Sequence, residues 1–119
     1  MGTPRIFGVP GGGSGLALMD AAREAGLPFV LTHGETAACI MAAVTGELTG
    51  VPGAAVTGLG AGAASAVNGV AHAWLDRSPM IVIADRHPGA ALALTSHQRI
   101  DQTALFAPVT KASLTNEAE

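Results

Sequence analysis

The chain has little charge and few aromatic residues. Charged residues make up 13% of its 119 residues and aromatic residues 3%, and the net charge is −3 without a cluster of Lys and Arg. Surfaces that bind nucleic acid carry basic patches, and basic amphipathic segments are typical of proteins that lie on membranes. We therefore expect neither a nucleic acid nor a membrane as a partner.

Cysteine is almost absent. Cys39 is the only one, so an internal disulfide is impossible and a reducing, cytoplasmic location is expected. Its expected role is that of a small buried apolar residue rather than a reactive thiol. The histidines show no spacing typical of metal ligands, so we expect no metal site built by this chain. They are His33, His72, His87 and His97.

Neither a signal peptide nor a membrane span is expected. Residues 1–5 lack the apolar segment of a signal peptide. Residues 48–74 contain no Asp, Glu, Lys or Arg, a stretch long enough to cross a bilayer. Pro52 and several glycines interrupt it, and this punctuation indicates a strand, a glycine turn and a helix instead.

Apolar residues, by contrast, are abundant. Hydrophobic residues account for 49% of a chain whose length corresponds to a single domain. A domain of this size exposes much of its surface and cannot bury all of that apolar content. We therefore expect part of the surface to pack against another domain or another chain.

Strand and helix patterns alternate along the chain. Strands are predicted at residues 5–9, 29–31, 54–57 and 80–84, and helices at 16–25, 36–47 and 63–75. Ser14 is predicted to cap the first helix and Gly26 to end it. A loop over 85–98, a short helix over 101–106 and a strand over 109–114 are predicted to follow. Such alternation predicts an α/β fold, in which a parallel sheet carries helices on both faces.

Glu35 is the candidate for catalysis. It stands in an apolar stretch, between the strand at 29–31 and the helix at 36–47. Strand ends and helix starts line the crevices of α/β sheets, and an acid in apolar surroundings is suited to exchanging a proton near neutral pH. The alternative is an ordinary first-turn Glu, favoured by the helix dipole.

Three unusual segments are expected at one edge of the sheet. Pro10-Gly11, Glu35 and the glycine turn at 58–62 each follow a predicted strand. The carboxyl ends of parallel strands share one edge, which is where such sheets bind ligands. The glycine turn alone also imitates a dinucleotide-binding fingerprint, with Asp85 in the place of the acid that holds the ribose.

Longer motifs resemble a known family in their order along the chain. They are residues 7–12 (FGVPGG), 31–38 (LTHGETAA), 60–65 (GAGAAS), 68–83 (NGVAHAWLDRSPMIVI) and 101–111 (DQTALFAPVTK). Together they resemble the N-terminal, pyrimidine-binding domain of thiamine diphosphate-dependent enzymes of the acetolactate synthase and 2-oxo acid decarboxylase type. Under this resemblance the dinucleotide fingerprint is coincidental.

The resemblance implies roles for several residues. Glu35 would share a proton with a ring nitrogen of the cofactor's aminopyrimidine, and so favour the form that activates the thiazolium carbon toward a 2-oxo acid. Gln98 would face the substrate. The remaining implied cofactor-binding residues are Pro10, Gly11, Gly60, Gly62 and Ser65.

The chain departs from the family pattern at four places. Ala61 replaces the proline of Gly-Pro-Gly, and Gly34 stands where a His usually precedes the glutamate. Ser65 replaces an Asn, and Arg99 follows Gln98 where an acid is usual. The resemblance also implies that the domain continues beyond both ends of this chain, as a fragment or as one subunit of a split enzyme.

The motif that holds the cofactor's diphosphate is missing. The chain contains no Gly-Asp-Gly, which in the family binds the diphosphate through Mg²⁺. The resemblance therefore implies a diphosphate-binding domain or subunit in trans, a homo- or hetero-oligomer, and no activity of this chain alone. A non-catalytic remnant of the family remains an alternative.

Overall fold

The computed structural model describes residues 2–89 and 94–116 of the chain. Its strands are β1 (Ile6–Gly8), β2 (Phe29–Leu31), β3 (Gly53–Thr57) and β4 (Met80–Ala84), and its helices are α1 (Ser14–Glu24), α2 (Glu35–Thr49), α3 (Ala61–Asp76) and α4 (Gln102–Phe106). A short 3-10 helix, Ala107–Val109, follows α4.

The four strands form one parallel sheet in the order β2-β1-β3-β4. Phe7 of β1 pairs with Val30 of β2 on one side and with Ala55 of β3 on the other. The chain thus moves to one side of β1 to make β2, and to the other side to make β3 and β4. The parallel sheet predicted from the alternating pattern is confirmed, and its order reverses between β1 and β3.

Helices cover both faces of this sheet. Phe7 and Ala55 face α2 and α3 in the larger core cluster, together with Cys39 and Ala66. Their strand neighbours, including Ile6 and Val56, point to the opposite face, where Ala22 of α1 completes a smaller cluster. This division follows from the period of two along a strand, which turns successive side chains to opposite faces.

The predicted strand over 109–114 is wrong. Pro108 lies within the first turn of the 3-10 helix, where its missing N–H costs nothing, and the described residues after Thr110 have no regular structure. The Thr110 hydroxyl donates a 3.0 Å hydrogen bond back to the Phe106 carbonyl. Val109 packs against the larger core cluster from this turn, so its apolar side chain contributes to the core although it does not belong to a strand.

The start of α1 also differs from prediction. Gly13, and not Ser14, is the N-cap residue, and it makes no side-chain hydrogen bond to the helix. The Ser14 hydroxyl instead donates a hydrogen bond to Asp85, at the end of β4. At the other end, Gly26 has φ +71° directly after the helix, so the predicted helix stop at Gly26 is confirmed.

None of the helices in the described ranges is both long and apolar enough to cross a membrane. The predicted loop over 85–98 lies partly outside the described residues, since residues 90–93 are not described.

Candidate functional site

A cavity lies at the carboxyl edge of the sheet, where the strand order reverses. Its volume is about 220 Å³. Gly11 and Gly12, which follow β1, line one side, and Gly58 and Leu59, which follow β3, line another. Loops that leave neighbouring strands in opposite directions open a crevice at this point of an α/β sheet.

Glu35 is the carboxylate that α2 contributes to this cavity. It is the first residue of α2 and is half-buried. Gly34, the residue before it, is the N-cap and is extended, with φ −173° and ψ 160°, so the helix begins directly at Glu35. Only three residues separate Glu35 from the end of β2, which places it at the carboxyl edge of the sheet, as the sequence predicted.

Gly62, in the first turn of α3, faces the Glu35 carboxyl group. A Cβ atom at Gly62 would lie 3.3 Å from Glu35 Oε1 and 3.0 Å from Thr57 Oγ1, which is tighter than an ordinary contact. The absent side chain therefore lets the first turn of α3 lie close to the carboxylate, and backbone rather than a side chain faces the cavity there. Among the described residues no hydrogen bond engages the Glu35 carboxylate, so its oxygens can accept one from a ligand.

The predicted site residues divide into two groups. The cavity lining contains Gly11, Glu35, Gly62 and Gln98. The other three do not line the cavity: the Pro10 carbonyl lies against Gly15 of α1, Gly60 is covered by Gln98, and the Ser65 carbonyl accepts a 2.6 Å hydrogen bond from the Thr36 hydroxyl.

Two side chains important to this edge had no role in the thiamine diphosphate interpretation of the sequence. Asp85 lines the cavity and accepts the Ser14 hydroxyl hydrogen bond. Gln102 accepts a 3.0 Å hydrogen bond from the Gly60 N–H and donates one of 2.9 Å to the Asp85 carbonyl. The polar residues directly after β4 were a signal for Asp85, whereas nothing local in the sequence pointed to Gln102.

The glycine turn has the wrong partners for a dinucleotide. In a dinucleotide site, phosphate oxygens approach free N–H groups at the helix N-terminus. Here the Gly60 N–H is bound by Gln102, and the Gly62 N–H donates to the Leu59 carbonyl at 3.2 Å. Asp85, the supposed ribose ligand, is bound to Ser14.

Cys39 is buried below the site, with 1% of its surface exposed. Burial, with the Glu35 carboxylate adding to its effect, raises the pKa of the Cys39 thiol from 9.0 to about 12. The thiol is therefore neutral at physiological pH, and the prediction of a buried structural residue is confirmed.

A second, larger opening runs along β4. It has a volume of about 2530 Å³ and is bounded by Ile81, Ile83 and residues 110–116. Its size reflects an open groove, and Glu35 does not line it. We place the candidate site in the smaller cavity because the carboxylate and the glycine turns meet there.

Residues 1–105 match a family described as "Thiamine pyrophosphate enzyme, N-terminal TPP binding domain". The chain belongs to this family. Thiamine pyrophosphate is thiamine diphosphate under its older name, so family membership implies this cofactor. Membership of this family does not favour the dinucleotide-binding alternative.

Curated relatives of this thiamine pyrophosphate enzyme domain are acetolactate synthases. The chain is 33% identical over 113 residues to "Acetolactate synthase" of Bacillus subtilis, with 95% of the chain and 20% of the relative covered. It is 36% identical over 110 residues to "Probable acetolactate synthase large subunit" of Methanocaldococcus jannaschii, covering 92% and 18%. It is 32% identical over 113 residues to "Acetolactate synthase isozyme 3 large subunit" of Escherichia coli, covering 94% and 20%. The chain thus spans about a fifth of each of these relatives.

The residues of the thiamine pyrophosphate enzyme domain fit the pyrimidine end of that cofactor. Pockets that enclose a whole small molecule have volumes of roughly 300–1,000 Å³, so a cavity of about 220 Å³ suits one ring. Gly62 leaves the face of such a ring free, and the Glu35 carboxylate can accept a hydrogen bond from a protonated ring nitrogen. In the described part of the chain, no three His, Cys, Asp or Glu side chains form a possible metal site.

Proposed function

We propose that this chain is the pyrimidine-binding part of an acetolactate synthase-like enzyme that acts on 2-oxo acids, as a transferase or a lyase. The carrying observation is the Glu35 carboxyl group beside Gly62 in a cavity at the switch point of the sheet. The acetolactate synthase names of the relatives support the substrate class.

In this proposal the Glu35 carboxyl group gives a proton to a ring nitrogen of the aminopyrimidine and takes that proton back during turnover. Thiamine diphosphate, when bound, supplies the carbon nucleophile that attacks the 2-oxo acid. A positioned acid–base group of this kind contributes through proton transfer at one atom. Gly11 and Gly62 let the ring approach the backbone, Pro10 and Gly60 shape the turns beside it, and Ser65 lies in the second turn of α3. Gln98 faces the substrate.

The diphosphate end belongs to another domain or subunit. Mg²⁺ in such sites is held by one or two carboxylates together with phosphate oxygens, and this chain contains no Gly-Asp-Gly that would serve. We therefore propose that Mg²⁺ and the diphosphate are bound in trans, within a homo- or hetero-oligomer. The single Cys39 supports a cytoplasmic location.

Isothermal titration calorimetry distinguishes the proposal from the dinucleotide alternative. The chain, combined with the diphosphate-binding domain of an acetolactate synthase relative, is expected to bind thiamine diphosphate in the presence of Mg²⁺ and not to bind NAD. Tight NAD binding that is lost in Asp85→Ala would reverse this assignment.

A non-catalytic remnant is the second candidate. It is favoured by the departures at Gly34 and Arg99, which change groups beside the site. This candidate predicts an assembly that forms and binds the cofactor but consumes no pyruvate, whereas the main proposal predicts that pyruvate is consumed.

A further inference from the structure

The Gln102 side chain joins two loops at the edge of the cavity. Its Oε1 accepts the 3.0 Å hydrogen bond from the Gly60 N–H, in the turn before α3. Its Nε2 donates the 2.9 Å hydrogen bond to the Asp85 carbonyl, at the end of β4. One partner is a backbone donor and the other a backbone acceptor, so only an amide in this orientation satisfies both.

The segment held by Gln102 carries Gln98 over the Gly60 turn. A Cβ atom at Gly60 would overlap the Gln98 carbonyl, so the two backbones are in direct contact. Gln98 itself has φ +53°, a left-handed conformation that is unfavourable for a residue with a side chain. Such strain persists only where the surroundings hold it in place.

The other end of the bridge reaches the cavity wall. Asp85 lines the cavity beside Glu35, and its carboxylate accepts hydrogen bonds from the Ser14 hydroxyl and from the Arg86 N–H. The Asp85 N–H donates to the Thr57 carbonyl at 3.1 Å. Asp85 therefore connects the Gln102 amide to the first residue of α1 and to the last residue of β3.

We propose that Gln102 is a positioning residue. It holds Gln98 and the Gly60 turn in place, so that the cavity keeps the width that the aminopyrimidine ring requires. This inference rests on the proposed function, because it takes the ring as the occupant of the cavity. Gln102 does not touch the ring in this arrangement. It acts through Gly60 and Asp85, and its loss would widen the cavity without removing a wall.

The test measures binding of the free pyrimidine half of the cofactor, 4-amino-5-hydroxymethyl-2-methylpyrimidine, to the 119-residue protein. Saturation-transfer difference NMR is suitable because it tolerates self-association of the protein. Gln102→Met keeps the length of the side chain and removes both hydrogen bonds. Thr103→Val, at the next and exposed position of α4, is the matched control.

We expect Gln102→Met to weaken binding of the pyrimidine about five- to tenfold, the scale of one neutral hydrogen bond, while Thr103→Val leaves it unchanged. Amide hydrogen exchange at Gly60 should accelerate in Gln102→Met alone. Gln102→Met should also lower the unfolding temperature, because it leaves the Gly60 N–H without its acceptor. The deciding readout is therefore the affinity for the pyrimidine measured well below unfolding, which a merely structural role for Gln102 would leave unchanged.

Each outcome separates the two claims. If the unaltered protein binds no pyrimidine, the inference fails, whereas the proposed function is decided by binding of thiamine diphosphate in the assembly with the diphosphate-binding domain. If the unaltered protein binds and Gln102→Met binds equally well, the inference alone is overturned. If Gln102→Met does not fold, Gln102→Glu is used, because it keeps the acceptor for Gly60 and loses only the donor to Asp85. Undiminished affinity in that variant overturns the inference, and a loss of affinity with Gly60 still protected supports it.

Discussion

Glu35 occupies a position that two different roles would favour. As the first residue of α2 it stabilises the helix by interaction with the dipole, and many first-turn acids do no more than this. That role would be served equally well by a side chain turned toward solvent. The contact geometry at Gly62 is the feature that the helix does not need, and it makes Glu35 a site residue in our proposal.

Replacing Glu35 with Gln in the complete assembly is the direct test of its role. The substitution keeps the size and burial of the side chain but removes its ability to exchange a proton. We expect kcat to fall by about 10²–10⁴-fold, the usual effect of losing a positioned general acid–base group.

Steady-state turnover of pyruvate measures this effect. Glu24→Gln, at the exposed end of α1, is the control and should leave kcat unchanged. Normal turnover in Glu35→Gln would show that the carboxylate serves only the helix.

Cys39 should make stability depend on pH in the alkaline range. Its pKa is 9.0 in an ordinary environment and about 12 in the fold, so between these values the unfolded chain binds fewer protons than the folded chain. The free energy of unfolding should then fall as the pH rises, by up to about 1.4 kcal/mol per pH unit, and should be insensitive to Cys39 below pH 9.0.

Urea denaturation at stepwise pH values measures this slope. In Cys39→Ala the contribution should vanish, because no thiol remains to ionise in the unfolded chain. Equal slopes in the two proteins would mean that the buried thiol ionises as easily as an exposed one.

The contact between α2 and α3 sets the geometry of the site at the level of elements. Glu35 begins one helix and Gly62 lies in the first turn of the other, so the distance between them depends on how closely the helices pack. Gly69 lies at their closest approach, where a Cβ atom would be 2.7 Å from the Thr36 carbonyl. Small residues on both buried faces allow this approach, among them Ala38, Ala42, Ala63 and Ala66.

Gly69→Ala should therefore destabilise the fold. The added methyl group overlaps backbone that cannot move without shifting a helix, and overpacking of this kind costs about 1–3 kcal/mol. Chemical denaturation measures the loss. Gly34→Ala is the control, since a Cβ atom there meets nothing within 4 Å, and it should change stability far less. A stable Gly69→Ala protein would indicate that α2 and α3 pack more loosely than described.

At the scale of the whole molecule, α2 has a second apolar face. Ile40, Met41, Val44 and Leu48 all face outward, and Leu48 is 82% exposed. Their spacing of three and four residues places them in one stripe along the helix. Exposed apolar stripes of this extent are typical of interaction surfaces, which agrees with the apolar excess of the composition.

We expect this stripe to drive association. Leu48→Glu should shift the chain toward smaller species in sedimentation velocity, because a charge in an apolar interface is costly to desolvate. Leu16→Glu, at another exposed apolar position on α1, is the matched control and should sediment as the unaltered protein does. Equal sedimentation of Leu48→Glu and the unaltered protein would remove the stripe from the interface.

The sequence alone determined the kind of fold, and it placed the ends of the four helices and of β1 to β4 within two residues of where they occur. Strand β4 was predicted at the residues where it occurs, because a short unbroken apolar run between turns is typical of a strand covered on both faces. Gly26 marked the end of α1 because its positive φ is a local requirement. Glu35 and the glycine turn were likewise visible as local departures from regular patterns. The strand over 109–114 was predicted wrongly because Val109 packs against the core from a helical turn, and an apolar residue does not reveal which element carries it.

Only the tertiary structure decided which of these residues meet. The order β2-β1-β3-β4 brings the loops after β1 and β3 together, and no local pattern specifies which strands become neighbours. Gln102 bridges Gly60 and Asp85 across 42 and 17 residues of sequence, and Asp85 binds Ser14 across 71. Such contacts arise from the folding of distant segments onto one another, so their energy is absent from any short stretch of sequence. The residues suited to a cofactor site could therefore be recognised from the sequence, whereas the cavity they form exists only because distant segments pack together.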